Sequence, residues 1–492
     1  MTARRGSILS AVLAGGLALT LAACGAPAGH GPEPLAIESA GLTEAELGER
    51  LSQALQFPTI SDRADPRASW EAFEDFRGFL AETHPLMFER MQVEDLGHGT
   101  LWFTLEGANA SLQPAIFIAH QDVVPVEPGT EGQWAHPPFG GVIADGQVWG
   151  RGALDMKGHL ITLLGAMESL LEDGFEPVRT IHIGLGHDEE VGGRGAQSMA
   201  AWLEARGQRA WFVLDEGGMI IEDSPFTGGP AALIGVAEKG FLTVEVTARA
   251  RGGHSSTPPD RTAIGQLAEA IDRIQNAPFA MSLDGGPGRE MFRALAPHLD
   301  GMAGFAAARP GLMGFLIEGE LKKEDAGRAM LGTTIAPTVI SGGTVMNVLP
   351  QEARALINLR LHPRDTGEIA ITHMRAAVAG MEGVTVEAYE PWSDPPGMAS
   401  MEGPAWDIIA GAAAGAAGPD APVVPYLMVA ATDLRHFAGV ADNLYRFMAA
   451  RMAMADLDGI HGDNERIALS NLPLATDYFR TVIRAAGEDG ES

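Results

Sequence analysis

The chain has a single cysteine, Cys24, in 492 residues. No disulfide can form within it, and thiolate ligands are excluded, so any metal site must be built from His, Asp and Glu. Cations are also scarce: 34 Lys and Arg stand against 64 Asp and Glu, a formal charge of -30. A balance of that sign repels phosphates, which argues against nucleic acid as a partner, and it leaves no polybasic face for a membrane. No Gly-x-x-x-x-Gly-Lys-Ser/Thr run occurs, which removes a P-loop, and Gly150-x-Gly152 lacks the dinucleotide spacing. Gly (62) and Pro (31) stay below the level that marks low complexity. What remains is a globular composition, 46% hydrophobic, long enough for two or three domains.

Arg4 and Arg5 precede the apolar run Ile8–Leu21, which falls short of the roughly 20 residues a membrane-spanning helix needs. A basic start, a short apolar core and small residues describe a signal peptide over 1–23. Leu21-Ala22-Ala23-Cys24 resembles the lipobox of bacterial lipoproteins. That resemblance implies lipidation at Cys24, export to the periplasmic side, and membrane contact only through the anchor. Gly25 in place of aspartate favours the outer membrane by the same analogy. Residues 24–39, small and Gly/Pro-rich, read as a flexible tether.

Periodicity then predicts helices over 43–56, with Thr43 and Glu46 spaced as a capping box, and over 70–84. Strands at 100–105, 115–119, 180–185 and 210–214 alternate with helices at 160–171 and 196–206. This is the pattern of a mostly parallel α/β sheet covered on both faces, with its site at the carboxyl ends of the strands. From Lys239 the character changes. Alternating strands at 241–249, 353–361 and 384–389, with helices at 262–275 and 368–380, predict an inserted α+β domain over 239–392. Residues 276–335 carry only weak helical patterning. The catalytic domain is expected at 40–238 and 393–486.

Five segments place acids and histidines at strand ends or in loops. His120 and Asp122, two apart in extended chain, share a face. Asp155 sits in a glycine-flanked loop before a helix, where bridging two cations and capping the helix are equally good readings. Glu189 and Glu190 follow the strand 180–185, Asp215 and Glu216 close the strand 210–214, and His461 lies before the last helix. Each is unconvincing alone; together they form an N,O ligand set suited to zinc.

That order, with Trp134-Ala135-His136-Pro137-Pro138-Phe139 and Asp155-Met156-Lys157-Gly158, resembles peptidase family M20, and Gly186-His187-Asp188-Glu189-Glu190 resembles its carboxypeptidase S and N-fatty-acyl amino acid synthase/hydrolase branch. The resemblance implies two zinc ions per subunit, bridged by Asp155. His120 and Asp215 would complete one metal; Glu190 and His461 would complete the other. It implies Asp122 as the partner of His120, Glu189 as general base, and a cis peptide after Asp155. His254 would reach the site of a neighbouring subunit in a homodimer. Asn347 and Arg360, with Arg435 and His436, would contact substrate. The inserted domain would serve as lid and dimerisation domain. The implied reaction is cleavage of the amide bond of a small peptide or an N-acyl amino acid. The competing expectation is a non-catalytic binding lipoprotein on the same fold.

Overall fold

The computed structural model describes residues 31–65 and 68–488. The signal peptide and Cys24 lie outside the described residues. Among the described residues no helix is long and apolar enough to cross a membrane.

The strands that carry the acids are apolar because both faces are covered. Ala115–His120, Ile181–Gly186 and Ala210–Asp215 are buried almost throughout and pair in parallel. They form the middle of a mixed sheet. Its order is Gln92–Asp95, Leu101–Leu105, Ile181–Gly186, Ala115–His120, Ala210–Asp215, Ala441–Arg446, Ala231–Glu238, Met219–Ile221, Arg451–Met452, with Val423–Met428 paired alongside Ala231–Glu238. Helix Lys157–Glu172, apolar nearly all round, is sandwiched between this sheet and helix Asn471–Gly487. The opposite face is covered by helix Arg194–Ala205, through Ala196, Met199 and Leu203. The parallel register sets the carboxyl ends of the three middle strands side by side, and every acidic segment follows one of them or a neighbouring loop.

The expected insertion proves to be two packing units. Strands Thr334–Gly342, Glu352–Leu361, Gly240–Arg249 and Val384–Ala388 form an antiparallel sheet. Its buried face packs on helices Ala263–Gln275 and Gly367–Ala377. The weakly patterned stretch instead folds into short helices, Gly288–Leu295, Gly301–Ala307, Pro310–Leu321 and Asp325–Leu331. Their core includes Phe292, Leu295, Ile317 and Leu321 together with Ala231 and Val424 of the large sheet. This segment therefore belongs by packing to the catalytic body, although it lies within the chain of the lid.

The expected tether is also shorter than its composition predicts. Leu35 N donates to Gly411 O at 2.9 Å and Glu38 N to Thr481 Oγ1 at 2.9 Å, while Arg484 grips Glu38. Gly411 and Gly415 admit this strand because a Cβ at either would meet its backbone at 2.8 and 2.1 Å. The chain is docked from about residue 33, before the capping box of Thr43 and Glu46 opens the first helix. The core clusters run from Leu35 to Ala486.

Candidate active site

His120 ends its strand with a buried ring. Its Nδ1 lies 3.2 Å from Asp122 Oδ1 and 3.0 Å from the Asp122 carbonyl oxygen, which fixes the ring and turns Nε2 outward. Asp122 also accepts from Glu189 N (3.1 Å), Glu190 N (3.2 Å) and the Ser61 hydroxyl, so one carboxylate orients the imidazole and pins the turn carrying two other acids. The peptide between Asp155 and Met156 is cis, as expected.

Asp155 is shared. Its Oδ1 lies 3.0 Å from His120 Nε2, which in turn is 3.2 Å from Glu216 Oε1. Its Oδ2 lies 3.0 Å from His461 Nε2, which is 3.1 Å from Glu190 Oε2. The sequence expectation placed Asp215 where Glu216 stands, and the structure corrects it. Phe212 and Leu214 face the larger core and Val213 the other. Alternation turns Asp215 to the side of Val213, the side His120 takes after Ile118, and its buried carboxyl feels Glu216, His120, Arg446 and Asp433, yet the carboxylate 3.2 Å from His120 Nε2 is that of Glu216. Glu216, one residue past the strand, swings back to His120.

Sequence reasoning also left Glu465 without a role. It is fully buried and accepts from Gly152 N (2.9 Å), Leu154 N (2.8 Å), Asp155 N (3.1 Å) and Arg151 Nη1 (2.7 Å). It thus holds the loop that presents Asp155. Its signal was its place at the end of the segment that begins with His461.

The electrostatics follow from crowding acids in a dry place. Burial pushes Glu189 well above the usual carboxylate range, and nearby Asp433 adds to it. Burial and Asp155 push Glu216 up to about 8. Burial opposes ionisation of Asp155, but hydrogen bonds from His120 and His461 outweigh it and hold its carboxyl low. Hydrogen bonds to Asp155 and Glu190 raise His461 to about 10. Imidazoles and carboxylates this close shift each other in opposite senses, as neighbouring opposite charges do. Donor atoms of His120, Asp155 and Glu190 lie within 4.8 Å of one another, and Glu190 Oε1 is buried without a partner. Edges of 3.0–3.2 Å between ligand atoms are close to the roughly 3.3 Å edge of a tetrahedron with zinc-length bonds. The donor set therefore fits a divalent cation.

The remaining expected residues divide. Arg435 Nη1 lies 3.5 Å from Glu189 Oε1, and Arg360, stacked over Phe241, is close enough to Arg435 and Glu238 to feel their charges. His436 lies under Gly193, away from the cluster. His254 and Asn347 stand together at the exposed antiparallel pair of short strands Gly253–His254 and Val348–Leu349. Neither lines the cavity that opens on the acids. That cavity, of about 530 Å³, begins at Asp155, Glu189, Glu190, Glu216 and His461. It continues along Met219, Ile221, Leu233, Met428, Met448, Met452 and Met454. No sequence period reveals this methionine lining, because its members come from several strands and the loops between them.

Known proteins share the sequence pattern and the fold. Residues 116–485 match Peptidase family M20/M25/M40. The chain is 32% identical over 469 residues to the N-fatty-acyl-amino acid synthase/hydrolase PM20D1 of Xenopus tropicalis, covering 93% of this chain and 89% of that one. It is 29% identical over 486 residues to Carboxypeptidase S of Saccharomyces cerevisiae, covering 88% and 84%. The M20 family metallo-carboxypeptidase Sso-CP2 from Sulfolobus solfataricus has the same fold, with a TM-score of 0.66 at 19% identity over 90% of this chain and 99% of that one. With the sheet, the inserted domain and the shared carboxylate all in place, the chain belongs to peptidase family M20 and is a peptidase or amidohydrolase of that family.

Proposed function

We propose that the chain is a dinuclear zinc amidohydrolase whose preferred substrate is an N-acyl amino acid with a long apolar acyl group, small peptides being the second class. The carrying observation is the methionine-rich cavity that opens onto the acids. Unbranched thioether side chains adapt to flexible apolar ligands. Asp155, His120 and Glu216 would hold one ion; Asp155, His461 and Glu190 the other. When bound, the ions would supply a water of lowered pKa and polarise the amide carbonyl. Glu189, at the mouth of the cavity beside these ligands, would accept the proton of the attacking water. The same carboxyl then gives that proton to the departing amine nitrogen. Arg435 limits the repulsion between Glu189 and its acidic neighbours, and the Arg360 and Arg435 guanidiniums suit the substrate carboxylate.

His254 and Asn347 would act on the site of a second copy. Their strand pair stands beside exposed Val339, Ile340, Val345, Met346 and Val348, an apolar strip of the kind a dimer covers. We also propose export with lipid attachment at Cys24, checked by mass spectrometry of the mature N-terminus.

The substrate reading is tested by comparing N-acyl amino acids of increasing acyl length with dipeptides, using zinc-loaded and chelated protein. Faster turnover with longer chains, abolished by chelation, is expected; a flat length dependence rejects the acyl assignment. Glu189→Gln should lower kcat by about 10²–10⁴ with metal content unchanged.

A further inference from the structure

Helix Pro310–Leu321 is apolar on two sides. Gly314, Ile317 and Leu321 face inward to the core of the helical segment. Leu312 (71% exposed), Phe315 (65%) and Leu316 follow the i, i+3, i+4 spacing on the outer side. Met302 and Phe305 of the preceding helix are exposed as well. A solvated helix face is ordinarily polar, and exposed large apolar side chains gathered on one stripe mark a contact surface.

The charge around this stripe is unlike the rest of the chain. Between 287 and 331, six Lys and Arg balance six Asp and Glu, so the whole formal charge of -30 lies elsewhere. Lys322 and Lys323, at the end of the helix, are exposed; the other lysines, Lys157 and Lys239, are buried. The helical segment also adjoins the cavity. Leu233 and Tyr426 line the cavity and pack against the core beneath the helix.

We propose that the helix pair Gly301–Ala307 and Pro310–Leu321 is a lipid-contacting surface, with Leu312, Phe315 and Leu316 entering the acyl-chain boundary of a bilayer. An interfacial helix needs an apolar face and surroundings that an anionic lipid surface does not repel. This segment supplies both in a chain otherwise strongly acidic. Lipid attachment at Cys24 would favour the contact: about nine residues separate Cys24 from the docked strand, a reach of roughly 30 Å. The surface would serve the uptake of apolar acyl substrates, and for that purpose alone it rests on the substrate reading above.

The test uses the chain from Gly31 onward, which holds every core cluster and has neither anchor nor signal peptide. It should co-sediment with vesicles of phosphatidylethanolamine and phosphatidylglycerol, and Leu312→Glu with Phe315→Glu should weaken that binding by about tenfold or more. Because both side chains are exposed, thermal unfolding and turnover of a short, soluble N-acetyl amino acid should stay at wild-type values. Leu312→Ser with Phe315→Ser provides the same readout without added charge. Absence of vesicle binding by the unsubstituted chain overturns the proposal. So does equal binding by both variants, or loss of a dimer on substitution, which would assign the stripe to a second copy. Failure of the acyl-length series with vesicle binding intact would remove the substrate reading and leave the surface standing.

Discussion

The two sides of the acid cluster share Asp155 and differ in almost everything else. On one side His120 is 2% exposed, ends a central strand and is backed by Asp122. On the other, the side chain of His461 is 53% exposed, and it sits in a loop with a left-handed backbone (φ 59°). Glu216 faces the first imidazole one residue past a strand; Glu190 faces the second from a single-turn helix, Glu189–Val191. One side is thus fixed by the sheet and the other by loops. A ligand held by a sheet loses little freedom when it binds; a loop ligand must be ordered each time. If each side holds an ion as proposed, the first should be the tighter site and the second the more exchangeable one.

The largest effect should come from the shared residue. Asp155→Asn leaves neither side with its common carboxylate, so zinc content by atomic absorption should fall on both sides and activity should drop to background. Next, His120→Ala and His461→Ala should separate the sides. His461→Ala should retain about one zinc and regain partial activity in excess zinc, whereas His120→Ala should not be rescued. Equal zinc loss in the two variants would erase the distinction between sheet-held and loop-held ligands. Asp122→Asn should cost about 10–100-fold in metal affinity or activity, since it touches no ion yet orients His120 and the Glu189–Glu190 turn.

The remaining effect is on stability and leaves the site aside, because it concerns histidines that share the fold but not the cluster. Burial lowers His84 to about 3 and His182 to about 4, opposite to His120 and His461. Between these values and the unfolded value near 6.5, the unfolded chain binds the extra protons. Stability is then fully present above about pH 6.5 and declines as pH falls toward 3, by up to roughly 1.4 kcal/mol per unit per group. Urea midpoints from pH 7 to 4 should show the decline, and His84→Gln should flatten part of it.

The fold was legible where one interaction dominates. Continuous apolar strands such as Ala115–His120 and alternating ones such as Glu352–Leu361 carry their environment in their period. Strand Ala231–Glu238 was missed because only Lys239 separates its apolar run from the alternating strand Gly240–Arg249, with no turn signal between them. The helices between 288 and 331 were obscured because Pro310–Leu321 is apolar on its solvent side too. In the site, His120, Asp155, Glu190 and His461 were legible as residue types at strand ends and in loops. The choice between Asp215 and Glu216 depended on which way the chain turns after Leu214, and sequence spacing alone does not contain that. His254 and Asn347 stand apart from the cluster within one chain, so the substrate contact expected of them would need a second copy.

Glu465 and His461 both arrive late. The loop presenting Asp155 is laid down long before the carboxylate that accepts its backbone N–H groups, and the strand ending at His120 is older still. During synthesis, then, the acids of the first segments wait without their imidazole partner and without the residue that shapes their loop. If cations are held as proposed, their capture would have to wait for the C-terminal segment that carries His461 and Glu465.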